Sequence, residues 1–199
     1  MNLQDVLQRV DEIYTEYSAV GDHQNYLPVN VEVLADIASR MAGINIKFVC
    51  KSWNSTQIKG RVLRYKDHAV IEYSSELNTC WERFVVTKEL CHLMLDADED
   101  YTKDVEELVK CLVSCNILEG EPKPAERSEF MCSFAAAELL APIKIRRDLY
   151  ENEYRNNNLT TMQIADIFKI PGHYIEIIFS DVYRGKVDAL HYEVMNPGI

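Results

Sequence analysis

The residues best placed to do chemistry are Lys88, Glu89 and His92, in the run Lys-Glu-Leu-Cys-His at 88–92. On a helix, positions 88 and 92 lie one turn apart on the same face. Two histidines at that spacing bring both imidazoles to one metal, and a glutamate after the first acts as general base on the metal-bound water. Here the first of the two positions is Lys88. A protonated lysine has no lone pair to give a metal. A neutral one does, but only after a large depression of its pKa. The run therefore has three readings. It is a metal site with altered ligands, a site where an ammonium stands in for the metal beside a carboxylate, or a plain helix whose lysine lays its stem on the core and sends its charge to solvent. Glu89 is catalytic only in the first.

Other candidates are weaker. Cys111 and Cys115 lie four apart, the spacing for half a metal site, so His92 with cysteines is a further candidate for a structural metal. No Cys-x-x-Cys pair occurs among the six cysteines, which read as free thiols of a cytoplasmic chain. Residues 96–107 carry seven carboxylates and one lysine but no glycine for the turn of a calcium loop, so the run reads as a solvated acidic loop before a helix. No G-x-S-x-G occurs, and Cys91 projects about 100° away from His92 on a helix, so no nucleophile–base pair is signalled.

The elements that must position these residues follow from hydrophobic periodicity. Apolar residues at three and four predict a helix over residues 3–19. A second helix runs from Asn30 as N-cap to Gly43 as stop. Ile44, Ile46, Phe48 and Cys50 alternate as in a strand, and residues 60–73 read as a β-hairpin about a short polar turn. The helix bearing the motif spans about 78–95, and helices are expected at 105–118, 129–141 and 143–157. Residues 119–128 read as a Pro-rich exposed loop, and 159–185 as two helices broken at Pro171-Gly172. The expected fold class is α+β: mainly helical, with a small antiparallel sheet packed on the motif helix and a helical C-terminal tail. The expected division is 1–142 for the main domain and 143–199 for the tail.

Five pieces in order resemble the ImmA/IrrE family of metallopeptidase-like proteins. They are "PVNVEVLADIA" at 28–38, the hairpin, "RFVVTKELCHLML" at 83–95, "FAAAELLAP" at 134–142 and "LTTMQIADIFKIP" at 159–171. The resemblance implies a zincin-like domain and, in active members, a zinc endopeptidase that cuts helix-turn-helix repressors. It also implies a third ligand, a glutamate preceding the "FA" helix. Counting along the chain lands on Phe130 or Met131, with Glu129 one or two residues off and Glu126 a turn earlier. Lys88 departs from the family pattern at the first ligand, Cys91 replaces a small residue, and Asp96 stands where some members have a later histidine.

The chain is accordingly expected to be a degenerate, non-proteolytic member that binds a protein, either a repressor or a host regulatory protein of a mobile element. No cofactor is favoured. The alternative is an active zinc endopeptidase with Glu89 as base and His92 and Glu129 as ligands. The tail resembles a helix-turn-helix, but residues 172–185 set Glu176 and Asp181 against Arg184. That balance, with a net charge of −11, argues against direct DNA binding. No apolar run is long enough to span a bilayer, and the mixed-charge N-terminus has no signal-peptide core, so a cytoplasmic location is expected.

Overall fold

The computed structural model describes residues 2–20, 27–53, 58–96 and 124–195. Most of the acidic run after Asp96, the helix expected at 105–118, and Cys111 and Cys115 lie outside the described residues. The architecture is α+β and mainly helical. Helix α1 (Leu3–Ala19) opens with a capping box between Asn2 and Asp5. Helix α2 (Val31–Ala42) is capped by the Asn30 side chain and ends at Gly43, whose φ of 66° is the left-handed conformation that favours glycine.

Strands β1 (Asn45–Lys51), β2 (Gly60–Arg64) and β3 (His68–Ser74) form one sheet in the order β1-β3-β2. The hairpin β2–β3 is antiparallel, from Gly60 opposite Tyr73 to Arg64 opposite Ala69. The expectation of a wholly antiparallel sheet needs correction. β1 pairs with β3 in parallel, from Asn45 opposite His68 to Lys51 opposite Ser74. The tight hairpin leaves β1 the far side of β3, so β1 and β2 lie on opposite edges of the sheet. Alternation in a sequence sets faces, not neighbours or directions. As an edge strand, β1 leaves Phe48 and Cys50 exposed, while Ala69 and Ile71 of the central strand are fully buried.

Helix α3 (Thr79–Leu95) carries the motif, starts at the Asn78 cap and packs against β2, β3, α2 and α4 (Pro124–Leu140). The exposed loop expected over 119–128 does not extend to its end. Proline is favoured in the first helical turn, where its missing N–H costs nothing, and the helix begins at Pro124 with Glu126 and Ser128 buried. Gly60 sets how closely β2 approaches α3. A Cβ there would overlap Val85 Cγ1 and lie 3.1 Å from Glu89 Oε1.

After Pro142 come α5 (Ile143–Leu149), a π-helical turn (Tyr150–Tyr154), α6 (Thr161–Phe168), α7 (Gly172–Ile178) and α8 (Asp181–Met195). The single helix expected over 143–157 is thus shorter and ends in the π turn. Beyond the expected break at Pro171, a second one at Phe179–Ser180 separates α7 from α8. One buried carboxylate, Glu138 of α4, ties these segments together. It accepts from Arg146 Nη1 at 2.7 Å and Nη2 at 3.2 Å, and from Tyr183 at 2.7 Å, with His191 Nε2 also 3.2 Å away. Burial opposes the carboxylate, but Arg146 and these hydrogen bonds outweigh it and hold its pKa at about 2.

Two stability predictions follow from these contacts. Gly60→Ala overpacks the β2–α3 contact and is expected to cost about 1–3 kcal/mol in urea unfolding; an unchanged midpoint and slope would contradict the close approach. Glu138→Gln leaves Arg146 buried without its counter-charge, and the expected loss is about 3–5 kcal/mol. The depressed pKa gives this term a sign with pH. The stabilisation is present above the ordinary carboxylate range and is lost as pH falls toward about 2. The parent chain should therefore lose stability more steeply than Glu138→Gln on acidification, and parallel profiles would remove Glu138 from that role.

Candidate functional site

The motif helix is buried on nearly every side, with Phe84, Val86, Leu90, Cys91 and Leu93 in the core. Glu89 and His92 are buried in the same helix, so their charges must be answered locally. The answer comes from two neighbours. β2 contributes Arg64, which donates to the His92 carbonyl and lies 3.9 Å from Asp96 Oδ2. α4 contributes Ser128, Glu129 and Cys132.

Lys88 does not reach past the protein to solvent. Its Nζ donates to Glu129 Oε2 at 2.7 Å and lies 3.0 Å from Glu89 Oε1, with 15% of the side chain exposed. The Glu89 contact is at ion-pair distance but off hydrogen-bond alignment. Burial by itself would lower the Lys88 pKa; Glu89 and Glu129 outweigh it and hold the group well above its usual range. Burial would likewise raise Glu129, but Lys88 and then His92 draw its pKa well below the ordinary carboxylate range.

His92 faces two ways. Its Nε2 is 3.4 Å from Glu129 Oε1, again without an aligned hydrogen bond. Its Nδ1 is 2.7 Å from Asp96 Oδ2 and 3.2 Å from Ser128 Oγ. Asp96, the C-cap of α3, also accepts from Ser128 Oγ at 2.6 Å and from Cys132 Sγ at 3.6 Å. Burial opposes the imidazolium, but Cys132, Asp96 and Glu129 outweigh it and push the His92 pKa well up. The Cys132 thiol is itself pushed up by burial, so the carboxylates carry the effect at neutral pH. Asp96 is held below its usual range: burial opposes the shift, and His92, Ser128 and Arg64 overcome it.

The structure thus brings together all four residues singled out in the sequence. Lys88, Glu89, His92 and Glu129 share one cluster with Asp96, Ser128 and Arg64. Sequence counting anticipated neither Asp96 as the partner of His92 nor Ser128 and Cys132. The i,i+4 spacings 92–96 and 128–132 were the available signal. Cys50, Cys80, Cys91 and Cys132 are free thiols.

The chemistry open to this cluster is narrow. A catalytic zinc has three protein ligands and an open position. Among the described residues, the donors on the Lys88 side are His92 Nε2 and the Glu89 and Glu129 carboxylates, and the Lys88 ammonium already lies against both carboxylates. The carboxylates are taken by a resident cation and Glu89 is not free to act as base, so the cluster does not fit a catalytic zinc. Nor does it make a nucleophile. In a serine triad the base takes the hydroxyl proton on one nitrogen while a carboxylate holds the other, and here Ser128 and Asp96 both meet Nδ1.

A separate cavity of about 520 Å³ lies among Val31, Phe48, Tyr73, Glu82, Arg83 and Val86. At the N-terminal half of α3, Tyr174 of α7 stacks on Phe84 with ring centroids 3.7 Å apart, and Lys59 Nζ sits 3.4 Å from the centroid of Trp81. Of these residues, Tyr174 feels the charges of Lys88 and Glu129.

No protein-family model and no curated protein matches this chain. Among solved structures, it is similar to a Mycobacterium tuberculosis transcriptional regulator, with a TM-score of 0.50 and 12% identity. The similarity covers 87% of this chain and 49% of the regulator, so the chain spans about half that protein's length. At this identity the likeness is one of fold.

Proposed function

We propose that this chain is a non-proteolytic ImmA/IrrE-like protein that acts by binding a regulatory protein, a helix-turn-helix repressor of a mobile element being the partner best suited to it. The observation that carries the reading is the Lys88 ammonium held between Glu89 and Glu129. It puts a fixed positive charge where an active relative would need a metal, and it makes Glu89 an ion-pair partner instead of a base. The alternative, an active metalloendopeptidase, requires Lys88 to leave or lose its proton, and both carboxylates oppose that. The solved neighbour's description as a transcriptional regulator agrees with a regulatory role.

Charge supports the choice of partner. A DNA-binding repressor presents a basic surface, and a chain of net charge −11 attracts such a surface while repelling DNA itself. Among the described residues no helix is long and apolar enough to cross a membrane, and we place the encounter in the cytoplasm.

Binding is tested by mixing the purified chain with a helix-turn-helix repressor of a mobile element, then measuring complex mass by light scattering and repressor mass by mass spectrometry. The expected result is a stable complex with an uncut repressor. A single cut that disappears in Glu89→Gln would overturn the reading. The ion cluster has its own signature in stability. Lys88→Met leaves the buried Glu89 and the partly buried Glu129 without their cation and is expected to cost about 3–5 kcal/mol. Glu89→Gln removes one charged partner and is expected to cost about 1–3 kcal/mol. A base in an open metal site would give the opposite pattern, with activity lost and stability kept.

A further inference from the structure

We propose that His92, Asp96, Ser128 and Cys132 form a binding site for a zinc-class divalent cation, on the Nδ1 side of His92 and separate from the position taken by Lys88. Two packed helices supply it, each with an i,i+4 pair: His92 and Asp96 from α3, Ser128 and Cys132 from α4. At that spacing, both side chains of each pair reach across to the same point. One atom each from His92, Asp96 and Cys132 lies within 4.8 Å of the other two. Ser128 Oγ sits among them, 2.6 Å from Asp96 Oδ1 and 3.2 Å from His92 Nδ1.

The spacing suits a tetrahedral ion. Bonds of the usual zinc lengths set neighbouring donors about 3.3–3.7 Å apart. Cys132 Sγ is already 3.6 Å from Asp96 Oδ1, whereas the contacts of 2.7 Å from His92 Nδ1 to Oδ2 and of 2.6 Å from Ser128 Oγ to Oδ1 must each open by roughly 0.6–1 Å as the ion replaces the shared protons. One thiolate, one imidazole and hard oxygens form a set that favours zinc or cobalt over magnesium or calcium. Cys132 is fully buried at the edge of the apolar core and Ser128 nearly so, which would shield a bound ion from water.

The charges balance. The cation enters as the Cys132 thiol and the His92 imidazolium each release a proton to water, so a charge of +2 replaces two protons. The cluster keeps its balance of Lys88 and Arg64 against Glu89, Glu129 and Asp96. Glu129, 3.4 Å from Nε2, then holds the other side of the ring, the arrangement in which a carboxylate orients a metal-binding histidine.

Cobalt(II) added to the full chain, reduced and metal-free, provides the test. The expected result is one equivalent bound with a thiolate-to-cobalt charge-transfer band and the visible bands of a tetrahedral ion, displaced by zinc. Cys132→Ser should abolish the charge-transfer band, and Ser128→Ala, a milder change, should weaken affinity about 10–100-fold. Absence of binding, cobalt bound without a thiolate band, or a band that survives in Cys132→Ser would overturn the site. Cys91 is also buried near Asp96 and Lys88, so a Cys91→Ala control, which should keep the charge-transfer band, assigns the thiolate to Cys132. The repressor-binding reading stands or falls separately, on the fate of the repressor.

Discussion

The Lys88 ammonium, clasped by Glu89 and Glu129, is the interaction on which the neighbourhood of the motif helix depends. A glutamate and a histidine buried in the middle of a core helix are costly unless each is answered by an opposite charge. Lys88 answers Glu89 from the same helix and Glu129 from the next one, and so fixes α4 against α3 at one register. That register puts Ser128 and Cys132 a turn away against Asp96. On the other flank, the missing side chain of Gly60 lets β2 lie on Glu89, and four residues later Arg64 reaches the C-terminal end of the helix. The sheet edge and α4 are thus held to α3 largely by polar contacts at its two faces, with apolar packing between.

Legibility in the sequence followed the range of the interaction. The ends of α2 were readable because caps are local: Asn30 caps its start with its side chain and Gly43 ends it in a left-handed turn. The extents of α1 and α3 were legible from the sequence pattern, while their Asn2 and Asn78 caps emerged from the structure. The hairpin was readable because a short polar turn dictates an antiparallel pair. The parallel partnership of β1 with β3 was not, since nothing within β1 says which strand lies beside it. The start of α4 was misread because Pro124 looks like loop composition but is also a favoured helix opener.

The same limit applied to the site. Lys88, Glu89 and His92 were visible because all three lie on one helix with a known spacing. Glu129 was the right residue type near the right place, but counting from the "FA" helix set it one or two residues off. Its carboxylate meets Lys88 and His92 through the packing of two helices, which a count along one chain does not contain. Asp96 was harder still. Within an acidic run it read as solvated charge, yet as the last residue before the chain leaves α3 its side chain turns back one helical turn onto His92.

His92 links the two halves of the cluster. Its Nε2 side belongs to Lys88 and Glu129, and its Nδ1 side to Asp96, Ser128 and Cys132. The Lys88 ammonium supplies a standing positive charge on the first side. It therefore removes any need for His92 to present a lone pair there, and frees the ring to be oriented by the second side instead. Lys88 and Glu129 fix the charge on the Nε2 face, and on the Nδ1 face the imidazole, a hydroxyl and a thiol converge on the Asp96 carboxylate.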